Sequence, residues 1–150
     1  VAEPNDSRPL TLLDYRDDRL VLITPHAHPL AKNHRVAFAN VLHHPFVMLH
    51  NGSAIHTFTM NIASQLGQHL NVRVQVKSFE AVCRMVSAGV GIGLVPFDAV
   101  AQQPHLPVSV IDLDEAWAQR SLKVCVRSQT SLSTFTQLLI DQLTTKNNRT

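Results

Sequence analysis

The sequence predicts an α/β fold built mainly from parallel strands, and three observations carry that expectation. Short apolar, β-branched runs recur along the chain. Stretches with apolar residues three and four apart stand between them, and the joining turns hold the polar caps and glycines that start and stop helices.

Taken in order, Leu20 to Thr24 is a continuous apolar and β-branched run closed by Pro25, too short for a helix and therefore a buried strand. Pro29 punctuates the next turn. Val36 to Leu42 has room for one or two helical turns before His44 and Pro45, since the residue before a proline is pushed out of the helical region. Phe46 to Leu49 is a second buried strand. After the polar turn Asn51, Gly52, Ser53 come Ile55, Phe58, Ile62, Ala63 and Leu66, the apolar face of a helix capped by Ser53 and stopped by Gly67. Val72, Val74 and Val76 alternate with Arg73, Gln75 and Lys77, a strand with one wet face. Ser78 caps a helix that turns Phe79, Val82, Cys83 and Val86 inward and ends at Gly89. Gly91 to Val95 is a strand closed by Pro96, and Phe97 to Gln103 a short helix. Val108 to Leu113 and Leu122 to Arg127 are further strands, and Ser131 or Ser133 caps a last helix through Leu138, Leu139 and Leu143. The polar tail from Thr144 to Thr150 is expected to fray.

With 150 residues, 45% of them hydrophobic, the chain can bury a real core in one compact unit or two lobes. Charged residues make up 16% and the formal net charge is +2, which supports neither a disordered chain nor a nucleic-acid-binding surface. Basic residues such as Arg16, Arg19, Lys32 and Arg35 are scattered, whereas tracking a phosphate backbone needs several together. No run approaches a membrane span, and Val1 to Arg8 lacks the basic start and apolar run of a secretion signal. A cytoplasmic location follows as the expectation, with Cys83 and Cys125 as buried free thiols. Because the chain opens without an initiator methionine and within a strand pattern, it is expected to be part of something longer.

Three segments in this order resemble the effector-binding domain of LysR-type transcriptional regulators. They are the strand Leu20 to Thr24 running into Pro25, His28, Pro29, Leu30, Ala31; the turn Asn51, Gly52, Ser53; and the run Val86, Ser87, Ala88, Gly89, Val90, Gly91, Ile92, Gly93, Leu94, Val95, Pro96. The match runs from about Val1 to about Leu143. The resemblance implies a type 2 periplasmic-binding-protein-like fold, with two lobes joined by two crossing segments and a small ligand in the cleft between them. Residues 1–19 would end the first lobe and begin the crossing, 20–120 would form the second lobe, and 121–150 would return to the first. It also implies a homodimer or homotetramer, with DNA contacted only through a separate N-terminal domain. A solute receptor of a transport system is the alternative on the same fold. The glycines have a reading of their own: Gly89 suits a left-handed helix cap, and Gly91 and Gly93 suit close backbone approach. A dinucleotide fingerprint follows a strand and opens a helix, the reverse of the order here.

The turn Asn51, Gly52, Ser53 is the candidate effector site. It lies between a strand end and a helix start, so the N–H groups of Ala54 and Ile55 and the Ser53 hydroxyl can meet an acceptor group, and the helix dipole favours an anion. A carboxylate-bearing metabolite is the favoured ligand class. The plainer alternative makes Ser53 only an N-cap and Ile55 only core. Glu3 and Asn5 are placed at the cleft mouth by the resemblance, and Arg16 and Ser78 near the hinge. Pro96 shapes a turn or touches ligand. No cofactor and no metal is expected: His43, His44, His50 and His56 are close in sequence but fall on different elements, without Cys partners or HExxH spacing. No GxSxG, paired carboxylates or motif cysteine suggests catalysis, and His28 is read as a turn-stabilising hydrogen bonder.

Overall fold

A computed structural model describes residues 11–126 and 133–145. Glu3, Asn5 and Ser131 lie outside these residues. The chain divides into two compact units, one formed by residues 19–119 and the other containing residues 11–18 with 120–126 and 133–145.

In the unit of residues 19–119, six strands lie in the order β2, β6, β1, β5, β3, β4. These are β2 (Arg35–Val36), β6 (Val108–Leu113), the second half of β1 (Thr11–Pro25), β5 (Ile92–Pro96), β3 (Phe46–Leu49) and β4 (Val72–Val76). The strands β3, β4 and β5 run parallel, as do β2 and β6, while β1 is antiparallel to both β5 and β6. Between them stand α1 (Ala54–Gln65), α2 (Phe79–Ser87) and α3 (Phe97–Ala101).

Alternation along the strands separates two cores, one on each face of the sheet. Leu20, Leu22, Phe46, Met48, Ile92, Leu94 and Ile111 pack with Ile55 and Ala63 of α1. Val21, Ile23, Val47 and Val95 pack with Val82, Cys83 and Val86 of α2 and Val100 of α3. Strand residues of successive parity point to opposite faces, so α1 and α2 necessarily cover opposite sides. On the α1 side, Trp117 stands edge-on to both Phe38 and Phe58, with ring centroids 5.4 and 5.3 Å away.

In the other unit, the first half of β1 pairs with β7 (Gln119–Val126), and α4 (Thr134–Thr145) follows. Three acidic side chains of β1 find donors on β7. Lys123 Nζ donates to Asp14 at 2.7 Å, Ser121 Oγ to Asp17 at 2.7 Å, and Arg120 Nη2 to Asp18 at 2.7 Å. Ser133 Oγ accepts from Thr136 N–H at 3.2 Å and so caps α4.

Four local expectations are corrected. The first strand is not confined to Leu20–Thr24 but begins at Thr11, because partners on β7 keep the polar stretch extended. Val36 to Leu42 is not continuous helix: Arg35–Val36 pairs with β6, and only Phe38–Asn40 turns, as a 3-10 segment. Cys125 is exposed rather than buried. The last helix extends through Thr144 to Thr145, into the stretch expected to fray.

Candidate functional site

The parallel strands β5, β3 and β4 are neighbours, so their C-terminal ends lie along one edge of the sheet. Each end runs into a helix: β3 through Asn51–Ser53 into α1, β4 through Ser78 into α2, and β5 through Pro96 into α3. Strand carboxyl ends of open α/β sheets are where ligands are usually received, since helix N-termini gather there with unpaired N–H groups.

The turn after β3 is held from both sides. His50 N–H donates to Val76 O at 2.9 Å, tying the strand end to β4, and Ser53 N–H donates back to His50 O at 3.2 Å. Gly52 sits at φ +88°, a conformation that a side chain would strain, in a position otherwise open to solvent. Gln75 Nε2 donates to Asn51 Oδ1 at 3.0 Å, which anchors the Asn51 amide to β4. Ser53 is the N-cap of α1, its Oγ accepting from His56 N–H at 3.3 Å. A hydroxyl that accepts one bond keeps its own proton to donate.

Asn51, Gly52 and Ala54 are exposed, and Ser53 is half-buried. Ile55, by contrast, is buried in the α1-side core, so its side chain belongs to the packing that anchors the helix. Ser78 lies at the same sheet edge, capping α2 through a 3.1 Å bond from Ala81 N–H to its Oγ. Pro96, paired in register with Leu20, is the N-cap residue of α3. Arg16 belongs to the other unit, where its guanidinium lies 5.1 Å from the centre of the Tyr15 ring. The structure thus groups Asn51 to Ile55 with Ser78 and Pro96, while Arg16 belongs to the other unit and Glu3 falls outside the described residues. Sequence reading missed Gln75 because its place beside Asn51 depends on the β3–β4 register. The one available signal was its position on the wet face of an alternating strand.

The histidines group differently from their order in sequence. His44 lies against His28 with ring centroids 4.8 Å apart and against His43 at 4.1 Å. His28 Nδ1 accepts from Leu30 N–H at 3.1 Å, the turn-stabilising bond expected of it. Among the described residues, no group of three or more His, Cys, Asp or Glu side chains is arranged to hold a metal ion. Nor is any helix among them long and apolar enough to cross a membrane.

Comparison with known proteins adds to this geometry. A family described as the LysR substrate binding domain matches residues 1–148. The HTH-type transcriptional activator CmpR of Synechocystis sp. is 22% identical over 144 residues, covering 95% of this chain and 47% of that protein. A probable RuBisCO transcriptional regulator of Thalassiosira pseudonana is 30% identical over 121 residues, covering 77% of this chain and 39% of that protein. The chain therefore spans less than half the length of these curated relatives. Among solved structures, the Synechocystis CcmR regulatory domain in complex with 2-PG superposes with a TM-score of 0.81 at 25% identity, covering 99% of this chain and 72% of that one. The effector binding domain of QuiR in complex with shikimate superposes at 0.80 with 17% identity, covering 99% and 69%, which is a likeness of fold.

Proposed function

This chain belongs to the LysR substrate-binding domain family, and on that premise we propose that it senses a small anionic metabolite at the turn between β3 and α1 and thereby controls a transcriptional regulator. The supporting observation is the exposed turn Asn51–Ser53 at the carboxyl edge of parallel strands, followed by a twelve-residue helix whose first amides lack helical partners. The Ser53 hydroxyl and the Ala54 N–H would meet a carboxylate oxygen. The α1 dipole would add about 0.3 to 1 kcal/mol at an exposed site. The ligand-bound CcmR regulatory domain supports a small molecule as the thing sensed.

Regulation requires the effector to favour one conformation over another, because a ligand of equal affinity for both shifts nothing. DNA contact in this reading is made by a separate domain, with the regulator a homodimer or homotetramer. Ser78 and Pro96, at the same sheet edge, complete the proposed effector contacts.

Thermal-shift screening with small carboxylates tests the site, since a ligand bound only to the folded chain at a hundred times its Kd adds about 2.7 kcal/mol of apparent stability. The expected result is a shift in the native chain that Ser53→Ala loses, beyond the ~1 kcal/mol that removal of the cap itself costs. A shift undiminished in Ser53→Ala would move the site elsewhere.

A further inference from the structure

His28, His43 and His44 form a cluster of imidazoles outside the proposed effector site. His28 is the N-cap of the 3-10 turn Pro29–Lys32, and its Nδ1 accepts the Leu30 N–H at 3.1 Å. A ring nitrogen can accept only while unprotonated, so the cap exists only in neutral His28. The His44 ring stands edge-on to His28 at 4.8 Å, and the His43 ring lies tilted against His44 at 4.1 Å. We propose that these three histidines are a proton-responsive latch, closed when neutral, in which protonation of His28 turns its acceptor into a donor and releases the Pro29–Lys32 turn.

The consequence reaches the core, because Leu30 packs against the α1-side cluster. Burial holds His28 below the ordinary imidazole pKa; burial, with repulsion from His43 and His28, does the same for His44. The surrounding elements supply further basic groups. Lys32 closes the same 3-10 turn, and His26, on the turn before it, holds Ser109 Oγ of β6 at 2.8 Å. The acidic groups nearby in the fold have partners: Asp112 of β6 pairs with Arg19 at 3.2 Å, and Asp114 with Arg35 of β2 at 3.7 Å. With folded pKa values below the unfolded value of about 6.5, the latch contributes fully above that pH and is lost as pH falls through the folded values.

Proton NMR of the imidazoles and of the Leu30 amide, followed from about pH 8 to about pH 5, tests the latch across the ordinary imidazole pKa of roughly 6.5. The expected result has His28 and His44 titrating below that value, with the Leu30 amide resonance moving at the His28 midpoint. In His28→Asn, whose carboxamide oxygen can cap without titrating, the Leu30 amide should stay still and the His44 midpoint should rise. A His28 midpoint at or above the ordinary value overturns the latch, and so does a Leu30 amide indifferent to His28 protonation. The native-chain titration decides even if the variant does not fold.

Discussion

Residue chemistry is most exposed to test at the two thiols. Cys83 lies in the α2-side core and accepts no solvent, and burial pushes its thiol pKa up, so it stays protonated and unreactive. Cys125 is exposed on β7. Iodoacetamide should therefore label Cys125 in the native chain and reach Cys83 only on unfolding, which mass spectrometry of the alkylated peptides reads directly. Native labelling of both would mean that the α2 face opens far more readily than its packing allows. The sequence placed both cysteines in apolar patterns, and only the position of β7 separates their fates. The same holds for His28: its role in a turn was legible from its neighbours, whereas its contact with His44 joins residues sixteen apart and was not.

Among the elements, those that could be read locally came out as expected, and those that depend on distant partners did not. The caps Ser53 and Ser78 and the alternating strand β4 announce themselves within a few residues. The first half of β1 does not, because nothing local to Asp14, Asp17 and Asp18 marks a strand, and their partners Lys123, Ser121 and Arg120 come from β7. Arg120→Met tests that pairing. The Asp18 side chain is 4% exposed, so losing this partner should lower stability by about 1–3 kcal/mol in denaturant unfolding, less than for a fully buried pair because Arg120 is partly solvated. The glycine run before β5 answers to close approach. A Cβ at Gly91 would stand 2.6 Å from Pro45 O, the acceptor of the Ile92 N–H bond that seats β5 beside β3. Gly91→Ala should cost about 1–3 kcal/mol through forced backbone displacement, measured as a lower denaturant midpoint. An unchanged midpoint would mean that the β3–β5 entrance is looser than its packing indicates.

At the scale of the whole molecule, the chain belongs to the LysR substrate-binding domain family, and its net charge of +2 with scattered basic residues offers no cluster suited to a phosphate backbone. The sheet edge that gathers Ser53, Ser78 and Pro96 is the kind of place where open α/β sheets receive ligands. The fold class and the turn Asn51–Ser53 were legible because helix starts after parallel strands have strong local chemistry. That chemistry does not single out one start as a ligand site, since Ser53 and Ser78 cap their helices in the same way. Backbone amide NMR of the chain, titrated with small carboxylates, addresses that choice most directly. Saturable shifts concentrated at Gly52, Ser53, Ala54 and Ile55 are expected. Saturable shifts elsewhere with these four amides unmoved would rule out this turn as the site.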